Sequence, residues 1–206
     1  MVTGAIADCE RILEGFLTQP ANALTSLGFI AAGLLVARTR RHEVAAALVA
    51  TGVGSFLFHG PMPPGSDWAH DTSLAWLLVA VGLSDTRLQK FSGWPAAALI
   101  GVLLGLAPGA ADGLAALAAV ATIAAVLWRQ RTGRTFAALA VLGLGAAVGR
   151  LSATGGPWCD PDTLLQGHAF WHLAAATSPL LLYGILKTKT GRETPRFDRE
   201  NGQTAR

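Results

Sequence analysis

The sequence predicts an all-α polytopic membrane protein with seven transmembrane helices, its N-terminus outside and its C-terminus cytoplasmic. Three observations predict it. Of 206 residues, 51% are hydrophobic and only 14% charged, with a mean hydropathy of +0.43, which is too apolar for a soluble domain of this size. Apolar runs of 15 to 23 residues recur between short polar or Gly/Pro-containing segments, and that length crosses a hydrocarbon core about 30 Å thick. The basic residues, finally, cluster in alternate connections.

The first run, 20 to 37, opens with QPANALTS and is followed by RTRRH. The second, 43 to 60, ends in GVGSFLFHG, and the third, 68 to 84, opens DWAHDTSLAW and leads into DTRLQK. The fourth and fifth, 94 to 108 and 112 to 128, are separated only by APGAAD, which also allows a re-entrant hairpin. RQRTGR follows, then a sixth run from 135 to 151 and a seventh from 164 to 186. The Ala/Gly/Leu-rich region from 94 to 149 has the small residues of closely packed membrane helices.

The odd-numbered connections and the tail hold 14 of the 16 Lys and Arg, with only Arg11 and Arg150 elsewhere. Basic residues stay on the cytoplasmic side, which sets the orientation. The net charge of +3 therefore reflects topology and not nucleic-acid binding. MVTGAIADCERILEG lacks the basic start and long apolar core of a cleavable signal, so the first span is expected to direct insertion. Residues 1 to 187 are expected to form one membrane domain. The charged tail, 188 to 206, lacks apolar periodicity and is expected to be disordered. Cys9 and Cys159 both fall on the outer side, which is oxidising in most cells; the sequence decides neither for a disulfide nor for two free thiols.

Polar residues inside the spans carry the functional information, because an ionisable group in lipid costs at least a few kcal/mol unless it faces a cavity or a partner. His59 lies near the outer end of the second span, with Ser55 one turn deeper on the same face. His70 and Asp71 open the third span, and His168 and His172 occupy the first two turns of the seventh. Three helices thus bring polar groups to the outer third of the membrane. His168 and His172, four residues apart, can hold one metal from a single helix, and a third histidine completes the ligand set of a catalytic zinc site. His59 is the best third ligand; His70, beside the loop, is ranked interfacial. Ala169 follows His168, so this is not the HExxH arrangement of zinc peptidases, and the base must come from another helix. Asp71 fits that role, and the Ser55 hydroxyl can donate to a developing oxyanion.

Each residue alone also has a plainer reading. The histidine pair suits an interhelical hydrogen bond or a proton relay, Ser55 bonding to its own helix carbonyl, and Asp71 a helix N-cap. Trp68, Trp158 and Trp171 read as interfacial anchors. Gln19 and Asn22 suit hydrogen bonding between helices and pocket lining equally.

Taken together, GxxSxxFH (Gly52 to His59), Asp71 at the start of the next span, and HxxWH (His168 to His172) resemble the pattern of the CREST superfamily of seven-span membrane hydrolases. Cys9 and Glu10 followed by QPANALTS look most like its alkaline ceramidase branch, particularly the bacterial members. The resemblance spans all seven runs and leaves out the tail. It implies a zinc ion held by His59, His168 and His172, with Ser55 and Asp71 beside it, hydrolysing the amide of a ceramide. Asp71 would orient and deprotonate the water at the metal; Ser55 would assist there or stabilise the oxyanion. It also implies a disulfide between the N-terminal segment and the last outer loop, which Cys9 and Cys159 match. Eukaryotic ceramidases add a calcium site in an acidic N-terminal segment. Here Glu10 is retained but Gln19 stands in place of the later Glu, so calcium binding is doubtful on the sequence. PMPPGSDWAH, between His59 and Asp71, is also unlike the ceramidase loop.

The expected function is a zinc-dependent intramembrane amide hydrolase acting on ceramide or a related lipid amide, in a bacterial plasma membrane with its site toward the extracytoplasmic side. The alternatives are a non-enzymatic seven-span receptor-like protein with a structural metal site, and a proton-coupled transporter that binds no metal.

Overall fold

The computed structural model describes residues 7–186; the expected tail, 188 to 206, lies outside the described residues. Seven α-helices follow in order: α1 (Pro20–Ala37), α2 (His42–His59), α3 (Ser66–Leu83), α4 (Trp94–Leu106), α5 (Ala111–Arg129), α6 (Gly133–Leu151) and α7 (Gly167–Leu182). Short 3-10 turns at Gln89–Phe91 and Pro108–Ala110 join the middle helices, and no strand occurs among the described residues.

Local chemistry sets the helix ends. Pro20 opens α1, where a missing N–H costs nothing. The Glu10 carboxylate, reaching in from the preceding segment, accepts from the Ala21 and Asn22 amides at 2.7 and 2.9 Å, a negative charge at the positive end of the helix dipole. α7 is shorter than the apolar run that encodes it. Gln166 ties the incoming chain down by donating to the Asp160 and Thr163 carbonyls, and Gly184, at φ 69°, closes the helix with the Ile185 amide donating back to the Leu180 carbonyl.

Three segments are long and apolar enough to cross a membrane: Pro20–Ala37, Pro108–Arg129 and Gly133–Leu151. α4 is apolar but has 13 residues. α2 and α3 have 18 residues each, about 27 Å at 1.5 Å per residue, but bear polar side chains at their ends.

Neighbours pack in the order α6, α7, α1, α2, α3, with α4 and α5 both resting on α3. Two glycines let α2 approach both sides at once. A β-carbon on Gly52 would meet Ile30 Cγ1 at 2.6 Å and the Ser26 carbonyl at 3.1 Å, while one on Gly54 would meet the Ala69 carbonyl at 3.0 Å. The same helix then carries Ser55 and His59 into the middle of the assembly. Buried apolar side chains, Val36, Val44, Leu48, Trp76 and Leu77 among them, fill the space toward the end of α2 that lies away from His59. The polar groups gather at the opposite end.

The segment before α1 lies across that polar end. Cys9 is disulfide-bonded to Cys159, Arg11 pairs with Asp162 at 2.8 Å, and the Thr18 hydroxyl and Gln19 amide both donate to the His59 carbonyl. The strap thus ties the start of α1, the end of α2 and the loop before α7 together.

Because the Gly52 contacts include backbone, Gly52→Ala is expected to cost about 1–3 kcal/mol through overpacking. Thermal unfolding in detergent reads this as a lowered midpoint, and an unchanged midpoint contradicts the close α1–α2 approach.

Candidate metal centre

His59, at the last turn of α2, meets His168 and His172 from the first two turns of α7. The ring centroids of His168 and His172 are 4.5 Å apart, and those of His59 lie 5.0 and 5.2 Å from them. One ring nitrogen from each residue falls within 4.8 Å of the other two. No second such group of ligating side chains occurs among the described residues.

The partners of the opposite nitrogens decide what this cluster presents. His59 Nδ1 lies 2.7 Å from Gln19 Oε1, and the Gln19 amide is oriented by its Nε2 donating to the Glu10 carbonyl at 2.9 Å. His59 Nδ1 must therefore be the donor. His172 Nδ1 lies 3.1 Å from the Asn22 carbonyl, which can only accept, and the Thr25 hydroxyl sits 3.2 Å from the same nitrogen. His168 Nδ1 faces the Asp8 carboxylate at 3.1 Å. All three imidazoles thus carry the proton on Nδ1 and a lone pair on Nε2. His59 Nε2 and His168 Nε2 are buried with no hydrogen-bond partner.

His172 Nε2 has only Ser55 nearby, at 3.3 Å. The Ser26 hydroxyl gives its proton to the Asn22 carbonyl at 2.8 Å, so Ser55 is the donor across the 2.9 Å Ser26–Ser55 contact. That shorter bond holds the Ser55 proton and leaves the His172 lone pair open. Buried acceptors without donors are costly, and three converging imidazole lone pairs are what a divalent metal satisfies. The donor set, three neutral histidines with Nδ1–H held by acceptors, fits a divalent metal ion.

A cavity of about 470 Å³ opens beside the cluster, lined in part by Asp8, His70, Asp71, Asp112 and His168. Asp71 therefore faces the same space as His168, although its own contact is to His70 Nδ1 at 3.0 Å. His70, ranked interfacial on the sequence, lines this cavity, and its ring stacks on Phe58 with centroids 4.9 Å apart. A larger groove of about 870 Å³ between α1 and α4 is almost wholly apolar, and none of the three histidines lines it. Of the tryptophans, Trp158 is exposed. Trp68 donates to the Gly101 carbonyl at 2.8 Å and so ties α3 to α4, while Trp171 packs over Gly145 and Gly149 of α6.

The structure brings together His59, His168, His172 and Ser55 as the sequence leads one to expect, and it places Asp71 across the adjoining cavity. It resolves the open reading of Gln19 in favour of hydrogen bonding to His59. Asp8 is the residue that sequence reasoning missed. Its carboxylate touches His168 and comes within 3.9 Å of His59 Nδ1. Burial pushes its pKa up to about 7, with the His70 charge pulling the other way, so a neighbouring cation would favour its charged form. Its place beside Cys9 was the only signal. Glu10, which the resemblance links to calcium, has both oxygens on the amides of α1.

No family model matches the chain, and neither a curated protein nor a solved structure matches it.

Replacing Gln19 by Leu leaves the buried His59 Nδ1–H and the Glu10 carbonyl without the partner they share. The expected loss is about 1–3 kcal/mol, read as a lowered unfolding midpoint in detergent, with Gln19→Glu closer to the native protein. A Gln19→Leu protein as stable as native contradicts the assigned Nδ1 donor.

Proposed function

We propose that the chain is a zinc-dependent membrane hydrolase that cleaves the amide of ceramide or a related lipid amide. The observation that carries this reading is the convergence of three histidines, two of them with buried and unpartnered Nε2 atoms, beside a cavity that also opens onto the Asp71 carboxylate. A purely structural metal site has no use for such an adjoining polar cavity, because structural zinc is closed by four protein ligands.

The reading includes seven spans, with the N-terminus outside. The helices outside the three long apolar segments include α2, α3 and the 16-residue α7, which carry Ser55, His59, Asp71, His168 and His172. Polar residues at one end lower the hydropathy of α2 and α3, while the charge pattern of the connections keeps its alternation. On that topology the centre lies in the outer third of the bilayer, on the extracytoplasmic side of a bacterial plasma membrane. A lipid amide near headgroup depth reaches it without leaving the membrane.

Zinc held by His59, His168 and His172 would supply a Lewis acid for the amide carbonyl and lower the pKa of a water to about 7. Asp71, across the cavity, accepts a proton from the attacking water and returns it to the leaving amine as the C–N bond breaks. The products are a fatty carboxylate and a free amine. Ser55 lies at the His172 side of the centre, and its hydroxyl, turned from Ser26 toward the metal, would donate to the carbonyl oxygen as negative charge develops there.

Asp71→Ala is expected to keep the metal and the fold while lowering lipid-amide cleavage by at least about 100-fold, measured as fatty acid released from ceramide in mixed micelles. Intact cleavage by this variant removes Asp71 from the mechanism. No release by the native protein from any long-chain amide overturns the hydrolase reading.

A further inference from the structure

Asp8 has no role in the chemistry described above, yet it is the carboxylate in contact with the histidine cluster. Its Oδ1 lies 3.1 Å from His168 Nδ1, and its Oδ2 lies 3.9 Å from His59 Nδ1. The other Nδ1 atoms are held by neutral acceptors, the Gln19 side-chain oxygen and the Asn22 carbonyl. Three neutral imidazoles around a divalent ion leave two positive charges to be balanced at the buried end of the fold. Asp8, with its side chain 16% exposed, is placed to offset one of them.

The backbone around Asp8 is held from several directions. The Thr154 amide donates to the Ala7 carbonyl at 2.9 Å, and the Cys9 amide donates to the Thr154 hydroxyl at 3.1 Å. Cys9 itself sits at φ 69°, in the left-handed region that a β-carbon disfavours. The turn that lowers Asp8 onto His168 therefore needs an outside hold, and the Cys9–Cys159 disulfide supplies it one residue away.

We infer that Asp8 is a positioning residue for the metal centre: it fixes His168 as the Nδ1–H tautomer, adds charge behind that ligand, and is kept in register by the neighbouring disulfide. A carboxylate hydrogen-bonded to the far nitrogen of a ligating histidine makes the near nitrogen a stronger ligand, and losing such a partner typically weakens metal binding about 10- to 100-fold. The inference rests on the metal-centre reading and not on which amide is cleaved.

The test is zinc affinity of the purified full chain in detergent, by competition with a chromogenic chelator, together with the visible absorption of the cobalt-substituted protein. Asp8→Asn keeps the size and an acceptor oxygen but removes the charge. It is expected to bind zinc about 10-fold more weakly with an unchanged unfolding midpoint of the chelator-treated protein. Asp8→Ala is expected to lose up to about 100-fold and to shift the cobalt spectrum. The Cys9→Ser/Cys159→Ser protein is expected to lose affinity as well, and adding Asp8→Ala to it to cost less than in the native background. Asp8→Ala and Asp8→Asn proteins that both bind zinc within about twofold of native overturn the inference and leave the metal centre standing. A native protein that binds neither zinc nor cobalt overturns the metal centre itself.

Discussion

The candidate centre depends on where the Nδ1 protons are. Each of the three histidines is held at Nδ1 by a group that accepts: Gln19 Oε1 for His59, the Asn22 carbonyl for His172 and Asp8 for His168. Those bonds fix three tautomers and turn three lone pairs toward one another. Had any Nδ1 met a donor, its Nε2 would carry a proton into the cluster and oppose a cation. The acceptors come from the N-terminal strap and the first turns of α1, so the beginning of the chain orients imidazoles that α2 and α7 carry.

The rest of the fold serves this arrangement by separating polarity along the helix axes. Leu48, Val44 and Trp76 close one end with apolar packing, while the other end carries the histidines, Ser26, Ser55 and the cavity that reaches Asp71. Small residues make that possible, since Gly52 and Gly54 let one helix touch two neighbours through its backbone. The strap then closes the polar end, joined by the Cys9–Cys159 bond and by the Glu10 carboxylate on the α1 amides. One segment therefore caps a helix, covers the site and orients two of its histidines.

Much of this was legible in the sequence, for identifiable reasons. Helices α1 to α6 begin and end within about two residues of the apolar runs, because the runs are bounded by Gly, Pro or charge. The histidine set was readable because four-residue spacing places His168 and His172 on one face, and because the span order brings His59 to their depth. Asp8 was not readable. It lies in no periodic element, and its approach to His168 arises from a left-handed turn at Cys9 and a bond to a residue 150 positions away. The role of Gln19 was likewise open, because a side-chain amide serves as donor or acceptor until its other end is placed. The surroundings of His70 were not readable either, since its stacking on Phe58 and its place in the cavity wall depend on how α2 and α3 pack.

The central claim is that three converging lone pairs hold a metal ion. Elemental analysis of the full chain, purified in detergent without added metal or chelator, tests it most directly beside a His59→Ala/His168→Ala/His172→Ala protein. The account predicts about one zinc per native chain and background in the triple variant. Background metal in the native protein, or equal metal in both, contradicts it.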